Sequence, residues 1–405
     1  MVPEGWEQIA VGEFVDTIMG YAFSSKSFVP EGTPLVRMGN LYQNQLDLTR
    51  NPIFLPTNFP KEYPKFTLVP GDLIMSMTGT LGKRDYGFVV KVPDGTELCM
   101  LNQRVMKIIP KANADVRFLP YLLRSDRFLN ALFSLPGGTK QANLSAIQVK
   151  GIELYLPPLQ EQKKIAEILS TWDFAIETTE KLLANAEAQK KALMQQLLTG
   201  KRRLEGFKGE WREVKLGELL AEVKRPVAWS DDELYRLLSV RRRSGGLFHR
   251  EDLLGREILT KNLKHAREGD FLISKMQVVH GAMALVKKPH CGMQVSNSYI
   301  AVVSRDATLL DIEFFDWLSR MPEMYHKAYL CSYGVHIEKM TFNFDLFLKE
   351  SVNIPKSAEE QARIVKILVC AEKTEQRYKE QILKLQAEKQ ALMQQVLTGR
   401  LRVSV

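Results

Sequence analysis

Glu161-Gln162-Lys163-Lys164-Ile165-Ala166-Glu167-Ile168-Leu169, followed by Ala192-Leu193-Met194-Gln195-Gln196-Leu197-Leu198-Thr199-Gly200, decides how this chain is read. Both stretches return 199 residues later, as Glu360-Gln361 through Leu368 and as Ala391-Leu392-Met393-Gln394-Gln395 through Gly399. Residues 159–203 align with 358–402 without a gap and agree at sixteen of 45 positions, which marks a duplicated segment. Each copy reads as one long helix. Prolines stand just before it (Pro157, Pro158; Pro355), a glycine stands just after it (Gly200; Gly399), and no proline interrupts it. In a heptad reading, Ile165, Trp172, Thr179, Ala186 and Leu193 take position a, and Ile168, Ala175, Leu182, Gln189 and Gln196 take position d. The second copy places Ile364, Ala371, Tyr378, Leu385 and Leu392 at a. A register sustained over five heptads predicts a coiled coil. About 40 residues at about 1.5 Å each predict a rod of about 60 Å. Two such rods in one chain invite each other as partners. If they pair antiparallel, the segments between them lie at opposite ends of the bundle about a pseudo-two-fold axis, a geometry suited to a bipartite ligand.

The segments between the rods repeat more faintly. Gly5-Trp6 with Gly12-Glu13 returns as Glu210-Trp211 with Gly217-Glu218, and Pro70-Gly71-Asp72-Leu73-Ile74-Met75-Ser76 returns as Glu268-Gly269-Asp270-Phe271-Leu272-Ile273-Ser274. Gly138 precedes Ser145 as Gly334 precedes Thr341. Short apolar strands are expected at 73–77, 87–92, 105–109 and 298–303, and helices at 118–133 and 312–321. The predicted fold is α+β: mixed α/β domains at 1–156 and 205–355, with long helical regions at 157–204 and 356–405 that pair as an antiparallel coiled coil.

A length of 405 residues suits two or three domains, and 45% hydrophobic with 25% charged residues excludes a disordered or fibrous chain. No run of about 18 uncharged apolar residues occurs, and Glu4, Glu7 and Glu13 make the N-terminus unlike a secretory signal, so no membrane association and a cytoplasmic location are expected. Cys99, Cys291, Cys331 and Cys370 form no CxxC pair. The net charge of +9 permits a polyanionic partner. No segment exceeds an excess of +4, so affinity for nucleic acid must come from a folded surface that separates its charges.

Catalytic motifs are approached and missed. Gly79-Thr80-Leu81-Gly82-Lys83 resembles a phosphate loop, but Met77 stands where the first glycine is needed and Arg84 where a hydroxyl would hold Mg²⁺. Asn51-Pro52-Ile53-Phe54 lacks the second proline of an adenine-clamping motif and reads as a bend in a loop. Pro93-Asp94 with Glu97 is half of a nuclease cluster, with Cys99 in place of its lysine. The six histidines show no HExxH spacing. Neither a catalytic residue set nor a metal site is expected.

Short segments mixing donors, aromatics and glycine have the makeup of DNA-reading loops, because Arg and Lys suit guanine edges and phosphates while Asn and Gln suit adenine edges. In the first half these are Tyr21, Ser24 and Lys26; Arg37 and Asn40; Thr78, Thr80, Lys83 and Arg84; Asn102, Gln103 and Arg104; and Lys140 with Gln141. In the second they are Arg241, Arg242 and Arg243; Lys275, Gln277 and His280; Ser296, Asn297 and Tyr299; and Tyr333 with His336. Taken singly, Asn102 or Ser296 suits a turn cap, Tyr21 a core, and the arginine triplet a solvated face. Recurrence of the clusters in both halves favours the binding reading.

Pro157 through Leu169 with Leu193 through Gly200, and their second copies, resemble the central and C-terminal conserved regions of the DNA specificity (S) subunit of type I restriction-modification enzymes. Pro70 through Gly79 and Leu101-Asn102-Gln103-Arg104 resemble that family's target recognition domains. The resemblance implies a subunit without catalysis of its own. It would read a bipartite, asymmetric double-stranded DNA target, one half-site per recognition domain, with a spacer set by the coiled coil. Two modification (methyltransferase) subunits and restriction (motor and nuclease) subunits would be its partners, and S-adenosylmethionine, ATP and Mg²⁺ would enter only through them. Lys275-Met276-Gln277 stands where the first half has Met77-Thr78-Gly79, and Ser296-Asn297-Ser298 where it has Asn102-Gln103-Arg104, so the two domains are expected to prefer different bases. Two rivals belong to other classes: a self-associating architectural or regulatory DNA binder without methyltransferase partners, and a methyltransferase that binds S-adenosylmethionine alone.

Overall fold

A computed structural model describes residues 2–80, 82–135 and 141–404. The chain folds as two compact units, Met1–Thr179 with Gln381–Val405, and Glu180–Glu380. Among the described residues no helix is long and apolar enough to cross a membrane.

In the first unit Leu73–Ser76 is buried at every position, as a central strand requires. It lies between Val89–Lys91 and Val105–Pro110, and Val15–Met19 completes an antiparallel sheet of four. A second four-stranded sheet runs Phe54–Leu55, Thr33–Val36, Cys99–Leu101, Thr67–Leu68, with the middle pair parallel. Glu7–Ala10 pairs with Glu153–Leu156 as a ribbon.

The second unit repeats this plan strand for strand. One sheet runs Met283–Leu285, Phe271–Ser274, Tyr299–Ser304, Leu220–Val223, and the other Leu247–Leu254, Leu234–Val240, Gln294–Ser296, Leu263–His265, again with a parallel middle pair. Arg212–Lys215 pairs with Ser351–Ile354 as the matching ribbon. Leu144 N donates to Met77 O in the first unit and Phe342 N to Lys275 O in the second, which aligns Lys275 with Met77. The expected helix at 118–133 is two: Leu119–Leu122 and Asp126–Ser134, because the Ser125 hydroxyl caps the second at Phe128 N. At 312–321 the helix is Ile312–Ser319, and Pro322 opens another that runs to Leu330.

The duplicated segments are helices of 39 residues, Leu159–Leu197 and Ala358–Val396. Each ends in a left-handed glycine, Gly200 at φ +70° and Gly399 at φ +67°. The closing bonds also match, Arg202 N to Gln196 O and Leu401 N to Gln395 O. The expected a positions are buried or half-buried, whereas of the expected d positions of the first copy only Ile168 and Ala175 are half-buried. Leu182, Gln189 and Gln196 are exposed, whereas Leu169, Ile176, Leu183, Lys190 and Leu197 are covered. The stripe therefore steps four residues and then three from Ile165, so the second position lies one residue later than expected. Lys190 is the reason it was missed, since a charge at that position reads as a solvated face. In the second unit its ammonium pairs with Glu375, and Lys379 lies 3.3 Å from Glu187. In the first unit Lys389 pairs with Asp173, whose other oxygen accepts from the Tyr121 hydroxyl at 2.6 Å.

The start of each helix is tied down identically. Gln162 accepts from Asp115 N at 2.8 Å and donates to Asn113 O and Pro157 O. Gln361 accepts from Asp311 N at 2.8 Å and donates to Leu309 O and Pro355 O. Both side chains are fully buried, so each amide answers backbone groups that would otherwise be orphaned. Glu161 and Glu360 take bidentate bonds from Arg402 and Arg203 respectively. The core of the first unit joins Ile165, Ala166 and Leu169 to Val396 and Leu397, and that of the second joins Ile364, Val365 and Leu368 to Leu197 and Leu198.

Candidate nucleic-acid interface

In the first unit the parallel pair formed by Thr33–Val36 and Cys99–Leu101 delivers two of the expected segments to one place. Asn102 N donates to Val36 O, Tyr21 bridges to Asn102, and Gln103 N donates to Tyr21 O. Arg37, Asn40, Asn102, Gln103 and Arg104 thus line one cleft of about 410 Å³, walled by Phe23 and Phe28 and completed by Arg50 and Asn51. Three arginines and no acid stand among its described lining residues, which makes it attractive to an anion. Arg50 and Asn51 were not anticipated as binding residues. Their sequence signal was the Asn51-Pro52 bend, and Asn51 indeed sits at φ +48°.

The contributions differ. Asn40 is buried, donates to Asp47 O and Arg50 O at 2.9 Å and accepts from Arg37 N at 2.9 Å, so it shapes the loop and has no amide donor left for a base. Arg37 donates from Nη2 to Asn51 O at 2.9 Å, while its Nε is buried without a partner among the described residues. Asn102 Oδ1 accepts from Arg104 N, a turn contact that leaves its amide nitrogen available. Gln103 and Arg104 are exposed at the rim. Tyr21 is 42% exposed and stands against Phe23, Tyr63 and Phe66 with centroids 4.9 to 5.4 Å apart. Ser24 caps the short turn at Lys26, and Lys26 is exposed.

The 78–84 segment is a separate group. Thr78–Thr80 pairs with Gln141–Asn143, Thr78 is buried against Met38 Sδ at 2.8 Å, and Thr80 and Lys83 are exposed. Arg84 leans away, onto Phe133 at 5.2 Å and Asn130 at 3.3 Å, because the helix Asp126–Ser134 offers it an aromatic face. Lys140, like Gly138, lies outside the described residues.

In the second unit the long hairpin Leu234–Val240 with Leu247–Leu254 carries Arg241, Arg242 and Arg243 at its tip, all exposed. Arg243 adopts φ +55° and its N–H donates to His280 O at 2.6 Å, which docks the tip on the turn holding Gln277 and His280. Arg241 lies 4.6 Å over Phe248. Arg242 forms an ion pair with Glu338 at 2.6 Å, and His280 Nε2 stands 3.2 Å from the other oxygen of that carboxylate. Glu338 follows His336 in the segment closed by Ser332–Tyr333 and Thr341–Phe342, and Tyr333 and His336 are exposed on that segment. Glu338 was not anticipated. Nothing at the level of sequence connects it to an arginine 96 positions away.

Lys275 N donates to Ser298 O, and Ser296 Oγ to Ser298 Oγ at 3.1 Å, with Asn297 exposed between them. Gln277 Oε1 is buried without a partner among the described residues. Ser296 and Tyr299 line a different cleft, of about 300 Å³, with Arg250, Glu257 and the buried Gln294. Burial pushes the neighbouring Lys264 ammonium below its usual range, with Lys275 adding repulsion, and its Nζ donates to Tyr299 O at 2.9 Å. The arginine cluster and this cleft do not share lining residues. Among the described residues no group of three or more His, Cys, Asp or Glu could hold a metal ion.

Residues 3–188 match the family described as type I restriction modification DNA specificity domain. The type I restriction enzyme MjaVIII specificity subunit of Methanocaldococcus jannaschii is 33% identical over 209 residues, 51% of this chain and 48% of that protein. The match thus spans about half the length of this relative. The EcoBI specificity subunit of Escherichia coli is 23% identical over 399 residues, 90% of this chain and 79% of that one. A type I restriction-modification S subunit from M. genitalium shares the fold, with a TM-score of 0.60 at 15% identity over 98% of this chain and 99% of that one. So does the HsdS subunit of Thermoanaerobacter tengcongensis, with a TM-score of 0.51 at 19% identity over 99% and 98%. Residues 3–188 of the chain thus resemble a type I restriction modification DNA specificity domain, and the relatives and solved structures it matches are specificity subunits of type I restriction enzymes.

Proposed function

We propose that this chain is the DNA-reading specificity subunit of a type I restriction-modification complex, and that it recognises a bipartite, asymmetric target with one half-site per unit. One observation carries the reading: the same strand order occurs twice, yet equivalent loops carry different chemistry. The first unit offers an arginine-lined cleft, and the second an arginine-tipped hairpin. A scaffold repeated with dissimilar loops suits a ligand whose two halves share a backbone but not a sequence.

The spacer is set by the two long helices, which pair antiparallel. In support, partners on the second helix descend through Lys389, Lys379 and Glu375 as those on the first ascend through Asp173, Glu187 and Lys190. Catalysis belongs to partner subunits: two modification subunits that use S-adenosylmethionine, and restriction subunits that use ATP and Mg²⁺. Near-neutral units leave specificity to shaped loops, with phosphate contacts adding a salt-dependent term.

The test is to co-purify the chain with a modification subunit, select bound duplexes from a random pool, and repeat after inserting one heptad in each helix. Two short half-sites with a changed spacer are expected. Altered half-sites with an unchanged spacer, or no DNA bound at all, would sink the proposal.

A further inference from the structure

The arginine cluster of the second unit contains an acid, and the cleft of the first unit has none among its described lining residues. Glu338 Oε2 lies 2.6 Å from Arg242 Nη2, and its Oε1 lies 3.4 Å from Arg242 Nη1 and 3.2 Å from His280 Nε2. The carboxylate therefore occupies the end-on fork of the guanidinium, the same pair of donors that would face guanine O6 and N7 or two phosphate oxygens. Neither side chain is buried, at 49% and 55% exposed, so the pair is weak enough to be exchanged for a better partner. The carriers on both sides are fixed. Arg243 N and Ser244 N donate to His280 O and Gly281 O, and the Ser244 hydroxyl meets the Tyr325 hydroxyl. Glu338 is borne by the segment between Tyr333 and Thr341, which are backbone-paired.

We infer that Glu338 is a specificity-determining residue of the second unit: it stands in for a DNA oxygen at Arg242 and must be displaced before that arginine can bind DNA. On random DNA a single phosphate competes poorly with a carboxylate already in place, so Arg242 stays closed. At a base edge that takes both donors in the same plane, the exchange is favourable. The acid thus lowers affinity for wrong sequences more than for the right one. The inference rests on the DNA-reading function proposed above.

The test uses the complex of this chain with its modification subunit, a fixed duplex of arbitrary sequence, and a random-sequence pool. For Glu338→Gln, affinity for the arbitrary duplex is expected to rise roughly three-fold or more. The plot of log affinity against log salt should steepen by about 0.9, the value for one additional phosphate contact. The half-site selected by the second unit should lose definition. In an Arg242→Gln background the same change should do nothing, since its effect passes through Arg242. Glu338→Asp, which keeps the charge on a shorter arm, should fall between wild type and Gln.

Weaker binding of Glu338→Gln to the arbitrary duplex, an unchanged salt slope, or an equal effect without Arg242 would overturn the inference. A wild-type complex that binds no duplex would instead sink the DNA-reading function itself, so the two failures are told apart.

Discussion

Arg402 reaches back 241 residues to grip Glu161 through Nε and Nη2 at 2.9 and 3.0 Å, and Arg203 grips Glu360 in the same way at 2.8 and 2.9 Å. Each carboxylate belongs to the first turn of one long helix, and each arginine follows the end of the other. The duplicated Glu-Gln and Leu-Thr-Gly-x-x-Arg residues are therefore two halves of one clasp, made once in each unit. The twins differ in one donor: Trp6 Nε1 also serves Glu161 at 2.9 Å, whereas Trp211 Nε1 is buried without a partner among the described residues.

That difference orders two substitutions. Arg203→Ala leaves Glu360, 2% exposed, without its only side-chain donor among the described residues and should cost about 3 kcal/mol. Arg402→Ala leaves Glu161 with Trp6 and should cost less. Urea midpoints of both variants check the order, and a larger loss in Arg402→Ala would contradict it.

Gln162→Ala removes one acceptor and two donors from buried backbone groups, a loss of about 3 kcal/mol at about 1 kcal/mol per bond. Gln162→Glu should be at least as damaging, because a carboxylate would face Asn113 O and Pro157 O. Thermal melting that ranks the Glu variant above the Ala variant would refute this geometry.

Glu375 sets a pH dependence. Burial alone would raise its carboxyl above the ordinary value of 4.5, but hydrogen bonds from Lys190 and Lys379 outweigh burial and hold it lower. A depressed carboxyl contributes stability that is present above the unfolded value and lost as pH falls through the folded one. The deficit in melting temperature of Glu375→Gln should thus be full at neutral pH and shrink below about pH 4. A deficit that is the same at pH 7 and pH 3 would show that the pairing contributes nothing.

If the first unit reads one half-site as proposed, Arg104→Ala should relax base preference there by about 1–3 kcal/mol and leave the other half-site as it was. Sequencing of duplexes selected by the complex measures both at once. A change confined to the second half-site would remove the 410 Å³ cleft as a reading site.

The helices and the strands are legible in the sequence for definite reasons. A 39-residue helix without proline, opened by Pro157-Pro158 and closed by Gly200, is encoded locally, and so is the buried run Leu73-Ile74-Met75-Ser76. The covered stripe of each long helix is legible only in part. Lys190, Glu375 and Lys389 look solvated by type, and only their partners make those positions habitable. The candidate sites divide in the same manner. Arg37 and Arg104 were expected as separate loops, and it is the parallel pairing of Thr33–Val36 with Cys99–Leu101 that brings them to one cleft.

The duplication, the long helices and the residue types able to meet DNA are encoded locally, because repetition, helix caps and side-chain chemistry are written in neighbouring positions. Which of those side chains have donors left to offer depends on how the chain folds. Asn40 is engaged by its own loop, Arg84 by Phe133 and Asn130, and Arg242 by a glutamate 96 residues away. A hydrogen bond is settled by distance and direction in space, and the partners that satisfy these groups come from strands and turns that meet only when the sheets close.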